Sequence, residues 1–198
     1  FKTNDEILSA SLNALENGAD AVYTARSPKV VEYLSNESIP VMAHLGLVPR
    51  KSIISGGLRA FGKTPDEALK LLQNFKNMEN AGAFSVEAEV IAEKTLGFIS
   101  QNCNLITISL GSGNNADVNY LFMDDICGEN RNLPKHALNF AKVYKLRDKI
   151  YEEKLKAVKK FRKKGKTNKF IPQNKIVKIT PENLRIFKKK ATDLLNKK

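Results

Sequence analysis

The feature that most constrains this chain is a repeated order: an amphipathic helical stretch, a turn containing glycine, then a short apolar run. The first unit places Ile7, Leu8, Ser11, Leu12 and Leu15 at helical spacing behind a cap at Asn4 or Asp5, with Gly18 as the stop. Residues 21–24 follow as a strand. Ser27-Pro28 opens a second helix with Val30, Val31 and Leu34 on one face, and residues 39–44 form the next strand. Gly46, Gly56, Gly57 and Gly62 then mark a loop, which ends at Thr64-Pro65-Asp66-Glu67, a cap followed by proline and acids in the first turn. That helix runs through Leu69, Leu72, Phe75 and Met78 to Gly82. Strand, helix and strand succeed one another at residues 84–90, 92–99 and 105–110, and the apolar run Tyr120-Leu121-Phe122-Met123 comes last.

Such alternation is the mark of parallel βαβ architecture. The strands read as apolar runs, as expected where both faces of a sheet are covered. Five parallel strands are therefore expected across residues 20–128, with helices outside. A doubly wound sheet and a (β/α) barrel both satisfy the pattern, and periodicity leaves the choice open.

Composition narrows the class. Apolar residues make up 42% and charged residues 27% of the 198 residues, ordinary for a globular protein. No run approaches the roughly 20 apolar residues of a membrane span. The chain starts at Phe1 rather than Met, as expected of a sequence whose beginning has been removed. Cys103 and Cys127 lie far apart without CxxC spacing. They are expected to be buried small hydrophobes in a reducing compartment, cytoplasmic or the mitochondrial matrix. His44 and His136 are the only histidines, which excludes a histidine-rich metal site.

Several segments carry a family resemblance. Ile39-Pro40-Val41-Met42-Ala43-His44-Leu45-Gly46-Leu47-Val48-Pro49 resembles the IPVxxHLGLxP strand end of ketopantoate hydroxymethyltransferases. Residues 56–64 are similar to that family's GG-aromatic-KxQGKT loop, and Glu89 stands at the glutamate of LECVP. Residues 108–113 resemble IGIGAG, and Asp117 with residues 121–128 resembles the DGQ-LV-HDxxG segment. The matches are collinear over about residues 1–160. The resemblance implies a partial (β/α)8 barrel of the TIM type, its strands matching the fourth to the eighth, within residues 1–164. Residues 165–198 would form a basic helical C-terminal extension.

The family joins a one-carbon unit from methylenetetrahydrofolate to α-ketoisovalerate, giving ketopantoate. A divalent metal must chelate the keto acid and polarise its carbonyl, and a base must remove the neighbouring proton. By resemblance Glu89 is the general base and His44 orients the substrate. The plainer alternatives are a strand-end carboxylate near solvent and a structural histidine. Glu87 is expected on the opposite strand face from Glu89, towards helices or solvent. Gly111-Ser112-Gly113 reads as a tight strand-end turn, with an anion cradle as the alternative.

The pattern also departs from the family. Ala25 stands at a metal-ligand glutamate and has no donor oxygen, and Tyr23 replaces a lysine. Ser109, Leu110, Asn114, Asn115 and Asp124 break the pattern further. The expected function is thus a catalytically degenerate binding subunit with no cofactor and no metal ligand at position 25. The alternative is an active hydroxymethyltransferase using Mg²⁺ and methylenetetrahydrofolate, with its other metal ligands outside this chain. A homo-oligomer is possible under either.

Charge is divided unevenly. Residues 1–140 hold 12 Lys/Arg against 16 Asp/Glu, whereas residues 141–198 hold 21 against 5. A long basic helix is expected over residues 140–164, a break over 165–172, a strand-like run at 176–179 and a helix from Thr180-Pro181 to the end. Lys159, Lys160, Arg162, Lys163, Lys164, Lys166, Lys169, Lys188, Lys189 and Lys190 are the candidate phosphate contacts to RNA or a ribonucleoprotein assembly. A solvated basic helix is the plainer reading.

Overall fold

The computed structural model describes residues 1–167 and 171–196. The chain forms two compact units, Phe1–Tyr144 and Lys145–Lys198. The division falls near the start of the long basic helix.

In the first unit the order is α1 (Asn4–Glu16), β1 (Val22–Thr24), α2 (Pro28–Asn36), β2 (Val41–Gly46), α3 (Pro65–Asn80), β3 (Ser85–Glu89), α4 (Glu93–Gln101), β4 (Ile106–Leu110), β5 (Val118–Asn119) and α5 (Met123–Cys127). The cap of α1 is Thr3, one residue earlier than expected, and it forms a capping box with Glu6. Thr64 Oγ1 accepts from the Glu67 amide at the start of α3, with Pro65 in the first turn.

The five strands are all parallel and lie in sequential order, β1 to β5. A doubly wound sheet reverses strand order at a switch point, and this one does not. The register sets Ala43 beside Val86 and Val86 beside Thr107, while His44 pairs with Glu87 and Glu87 with Ile108. Because side chains alternate at period two, the first set shares one face and the second the other.

The helices cover only one of these faces. Val41, Ala43, Val86 and Ala88 pack with Val31 and Leu34 of α2, Leu71, Phe75 and Met78 of α3, and Leu96 and Ile99 of α4. Phe75, Val31, Val41, Val86 and Leu96 are fully buried. Each such side chain contributes roughly 1.5–3 kcal/mol of burial free energy, which fixes the strand ends that carry the site. The expectation that both faces are covered is corrected: the face of His44 and Glu87 lines an open cavity, and Tyr23 there is 51% exposed.

Other expectations shift as well. The last strand is Val118–Asn119, and Met123 begins α5 instead of ending a strand. Asp117 sets this edge, accepting from both the Thr107 amide and hydroxyl at 2.7 Å. Leu69 faces outward at 65% exposure, and Leu71 takes its place in the core. Cys103 and Cys127 are half-buried free thiols, not fully buried.

All but the first two residues of α6 (Val143–Gly165) belong to the second unit, where α7 (Pro181–Leu195) is capped by Thr180. Residues 176–179 form no strand. Among the described residues, no helix is long and apolar enough to cross a membrane.

Candidate active site

Four polar side chains meet on the uncovered face of the sheet. Tyr23 comes from β1, His44 from β2, and Glu87 and Glu89 from β3. The Tyr23 hydroxyl lies 2.6 Å from His44 Nδ1 and 3.2 Å from Glu87 Oε1. His44 Nε2 lies 2.9 Å from Glu89 Oε2, 3.0 Å from the Leu47 carbonyl and 3.6 Å from Glu87 Oε1. The Tyr23 and His44 rings stack with centroids 5.5 Å apart.

Glu87 therefore stands on the same face as Glu89. The contrary expectation fails on strand geometry, since residues two apart project to the same side. His44 and Glu89, both singled out in the sequence, are brought into direct contact. Ser112 is placed elsewhere: its hydroxyl donates to the Ala88 carbonyl and accepts from the Ile91 amide, each at 2.7 Å. The Ser112 hydroxyl stitches β3 to β4, and Gly111 and Gly113, at φ +69° and +81°, form the strand-end turn around it.

Backbone geometry holds the His44–Glu89 contact. Gly46 has φ +87°, and a Cβ there would strike the Glu89 carbonyl and the Ile91 side chain. Only glycine lets the end of β2 press so close, and the Leu47 amide then donates to the Glu89 carbonyl at 2.8 Å. Immediately beyond Glu89, Val90 adopts φ +52°, a left-handed conformation that costs a β-branched residue strain.

The cavity beneath these groups measures about 590 Å³ and is also lined by Met42, Pro49, Ile108, Leu110, Tyr120 and Phe122. Among the described residues, neither lysine nor arginine lines it. Burial, and then the neighbouring Glu87, pushes the Glu89 carboxyl up to about 7. Burial also raises Glu87, against a hydrogen bond from Tyr23 that lowers it. Burial lowers His44, with Lys51 and Arg50 adding to the effect. The imidazole is thus neutral near pH 7, and its contact with Glu89 is a hydrogen bond, not an ion pair. A neutral donor beside a carboxylate of raised pKa is an arrangement suited to proton transfer.

Metal ligation is a separate question. Ala25, just past β1, offers no donor, so the residues present do not rebuild the Mg²⁺ position implied by resemblance. The donors that do converge are one nitrogen of His44 and a carboxylate oxygen each of Glu87 and Glu89, all within 4.8 Å of one another. Mg²⁺ prefers an all-oxygen octahedron, and this set does not fit it.

The candidate phosphate contacts fall in the second unit. Lys159, Lys160, Arg162, Lys163 and Lys164 lie in the last turns of α6, Lys166 just beyond it, and Lys188, Lys189 and Lys190 on α7. All are exposed. At about 3.6 residues per turn, those of α6 spread over more than half its circumference. Lys169 lies outside the described residues.

Comparison with known proteins agrees with the geometry. The sequence profile described as "Ketopantoate hydroxymethyltransferase" matches residues 2–173. The chain is 30% identical over 184 residues to the 3-methyl-2-oxobutanoate hydroxymethyltransferase of Nitrosopumilus maritimus, covering 91% of this chain and 64% of that one. It is 32% identical over 171 residues to that of Pyrococcus furiosus, covering 84% and 57%. Against that of Cenarchaeum symbiosum it is 38% identical over 131 residues, covering 64% and 48%. The chain thus spans between about half and just under two-thirds of these relatives. Profile and relatives together place it in the ketopantoate hydroxymethyltransferase family.

Proposed function

We propose that this chain carries the acid–base half of a hydroxymethyltransferase-type active site. In this reading Glu89 removes a proton from the carbon beside a carbonyl, and His44 donates a hydrogen bond to the same substrate. The observation that supports it is the 2.9 Å contact between a neutral imidazole and a carboxylate at adjacent strand ends, over an open cavity. A base works best when its pKa lies near the working pH, and Glu89 sits at about 7. The sequential parallel strands are read as the fourth to the eighth of an eight-stranded barrel, whose sites lie at the C-terminal strand ends. Methylenetetrahydrofolate would supply the one-carbon unit. The test dissolves α-ketoisovalerate in D₂O with the protein and follows loss of its methine proton by NMR. That proton should exchange faster than in buffer, and Glu89→Gln should cut the rate by roughly 10²–10⁴. An equal rate from the variant would remove the assignment.

A second reading rests on Ala25 and Tyr23. With a metal-ligand position lost and a family lysine replaced, the scaffold would serve as a degenerate binding subunit, its basic second unit contacting RNA phosphates. Absence of proton exchange, together with salt-dependent RNA binding, would favour it.

A further inference from the structure

We propose that His44, Glu87 and Glu89 form a three-ligand site for a divalent ion of the zinc–cobalt–manganese class, distinct from the Mg²⁺ position at residue 25. An imidazole nitrogen between two carboxylates sets the cluster apart from an acidic patch, and that donor mix suits borderline transition ions better than Mg²⁺. The 2.9 and 3.6 Å separations from His44 Nε2 to Glu89 and Glu87 are those of neighbouring ligands around an ion with bonds of about 2.0–2.2 Å.

Three features support an ion over two carboxylates merely crowded together. The side chains of His44, Glu87 and Glu89 are only 6%, 10% and 12% exposed, so the donors are held in place and largely out of water. Among the described residues no lysine or arginine lines this cavity, and Lys51 and Arg50, whose charges reach His44, are not among the groups that shift Glu87 or Glu89. The Tyr23 hydroxyl at 2.6 Å from Nδ1 supplies the outer partner that orients a ligating histidine. In the ion-free chain Nε2–H donates to Glu89 and the Leu47 carbonyl. On ion binding that proton moves to Nδ1, where the Tyr23 oxygen accepts it, while the Tyr23 hydroxyl donates to Glu87. Imidazole and phenol both stay neutral, and Nε2 presents its lone pair. Three protein ligands leave open positions facing the cavity, the arrangement of a reactive ion rather than a closed structural one.

An ion on Glu89 and a substrate proton on Glu89 exclude each other. The ion-loaded chain is therefore the form that cannot act as the base proposed above.

The experiment needs no substrate. Chelator-treated protein is titrated with Co²⁺, followed by its visible absorption, and with Zn²⁺ by equilibrium dialysis. One ion per chain should bind, undisturbed by excess Mg²⁺. His44→Ala, Glu87→Gln and Glu89→Gln should each weaken binding at least about tenfold, whereas His136→Ala should not. Tyr23→Phe keeps all three ligands and should weaken binding roughly 10–100-fold, which serves if a ligand variant fails to fold. No saturable binding, or Glu87→Gln binding as tightly as wild type, would overturn the proposal. The base role is read separately on ion-free protein, so either proposal can fail alone.

Discussion

Glu89 carries the heaviest burden of any residue here, and its environment makes a prediction about stability. Its carboxyl is held near 7 in the fold, well above the ordinary value of 4.5. The folded chain therefore holds a proton there that the unfolded chain has lost. In ion-free protein this group should lower stability as pH rises from about 4.5 to about 7, the reverse of a salt-bridged carboxylate. Urea unfolding at both ends of that window should show Glu89→Gln gaining on wild type at the upper end, on the order of 1 kcal/mol. A difference that does not change with pH would mean that Glu89 ionises normally. His44 and Glu89 were legible in the sequence because motif residues surround each. Glu87 and Tyr23 were not. The sequence does not show that Glu87 shares a face with Glu89, and it shows Tyr23 as a replaced lysine at a strand end without its partners. Nothing in the local sequence links its hydroxyl to an imidazole 21 positions away.

The site's precision comes from the ends of two strands. Gly46 at φ +87° lets β2 close on the Glu89 carbonyl. Gly46→Ala should cost more than about 1 kcal/mol in thermal or urea unfolding, through the left-handed backbone and the clash together. Val90 is the converse case. Val90→Gly should relieve roughly 1–2 kcal/mol of left-handed strain and forfeit a comparable amount in chain entropy and packing. Its stability should stay within about 1 kcal/mol of wild type, whereas Phe75→Ala in the core should lose about 3–5 kcal/mol. Helices α1 to α4 and strands β1 to β4 could be read from capping residues, glycine stops and apolar runs. The last strand could not. Its two residues are fixed by Asp117 reaching back to Thr107, a contact across ten positions that no periodicity records.

At the scale of the whole molecule, the sequence of an acidic first unit is followed by that of a strongly basic second one. Sequential parallel strands were expected from the alternation of helix and strand. An uncovered sheet face was not, because apolar strand runs look alike whether one face is covered or two. Every helix packed in the core precedes Gly128, so removal of residues 165–198 should leave the first unit's cooperative unfolding unchanged. If the second unit contacts RNA, fluorescence anisotropy should show affinity falling linearly on a log–log plot against salt, with no preference among RNA sequences. Charge reversal at Lys159, Lys160, Lys163 and Lys164 should flatten that slope. Equal weak binding by intact and truncated protein at low salt would leave those lysines as a solvated surface.

Removal of a proton beside a carbonyl by the Glu89–His44 pair, as proposed here, would show as exchange of that proton with solvent. The most direct measurement is proton NMR of α-ketoisovalerate in D₂O near neutral pH with ion-free protein, following the methine signal. Wild type should exchange that proton faster than buffer, and Glu89→Gln should fall by roughly 10²-fold or more towards background. Exchange no faster than buffer with wild type, or equally fast with Glu89→Gln, would contradict the account.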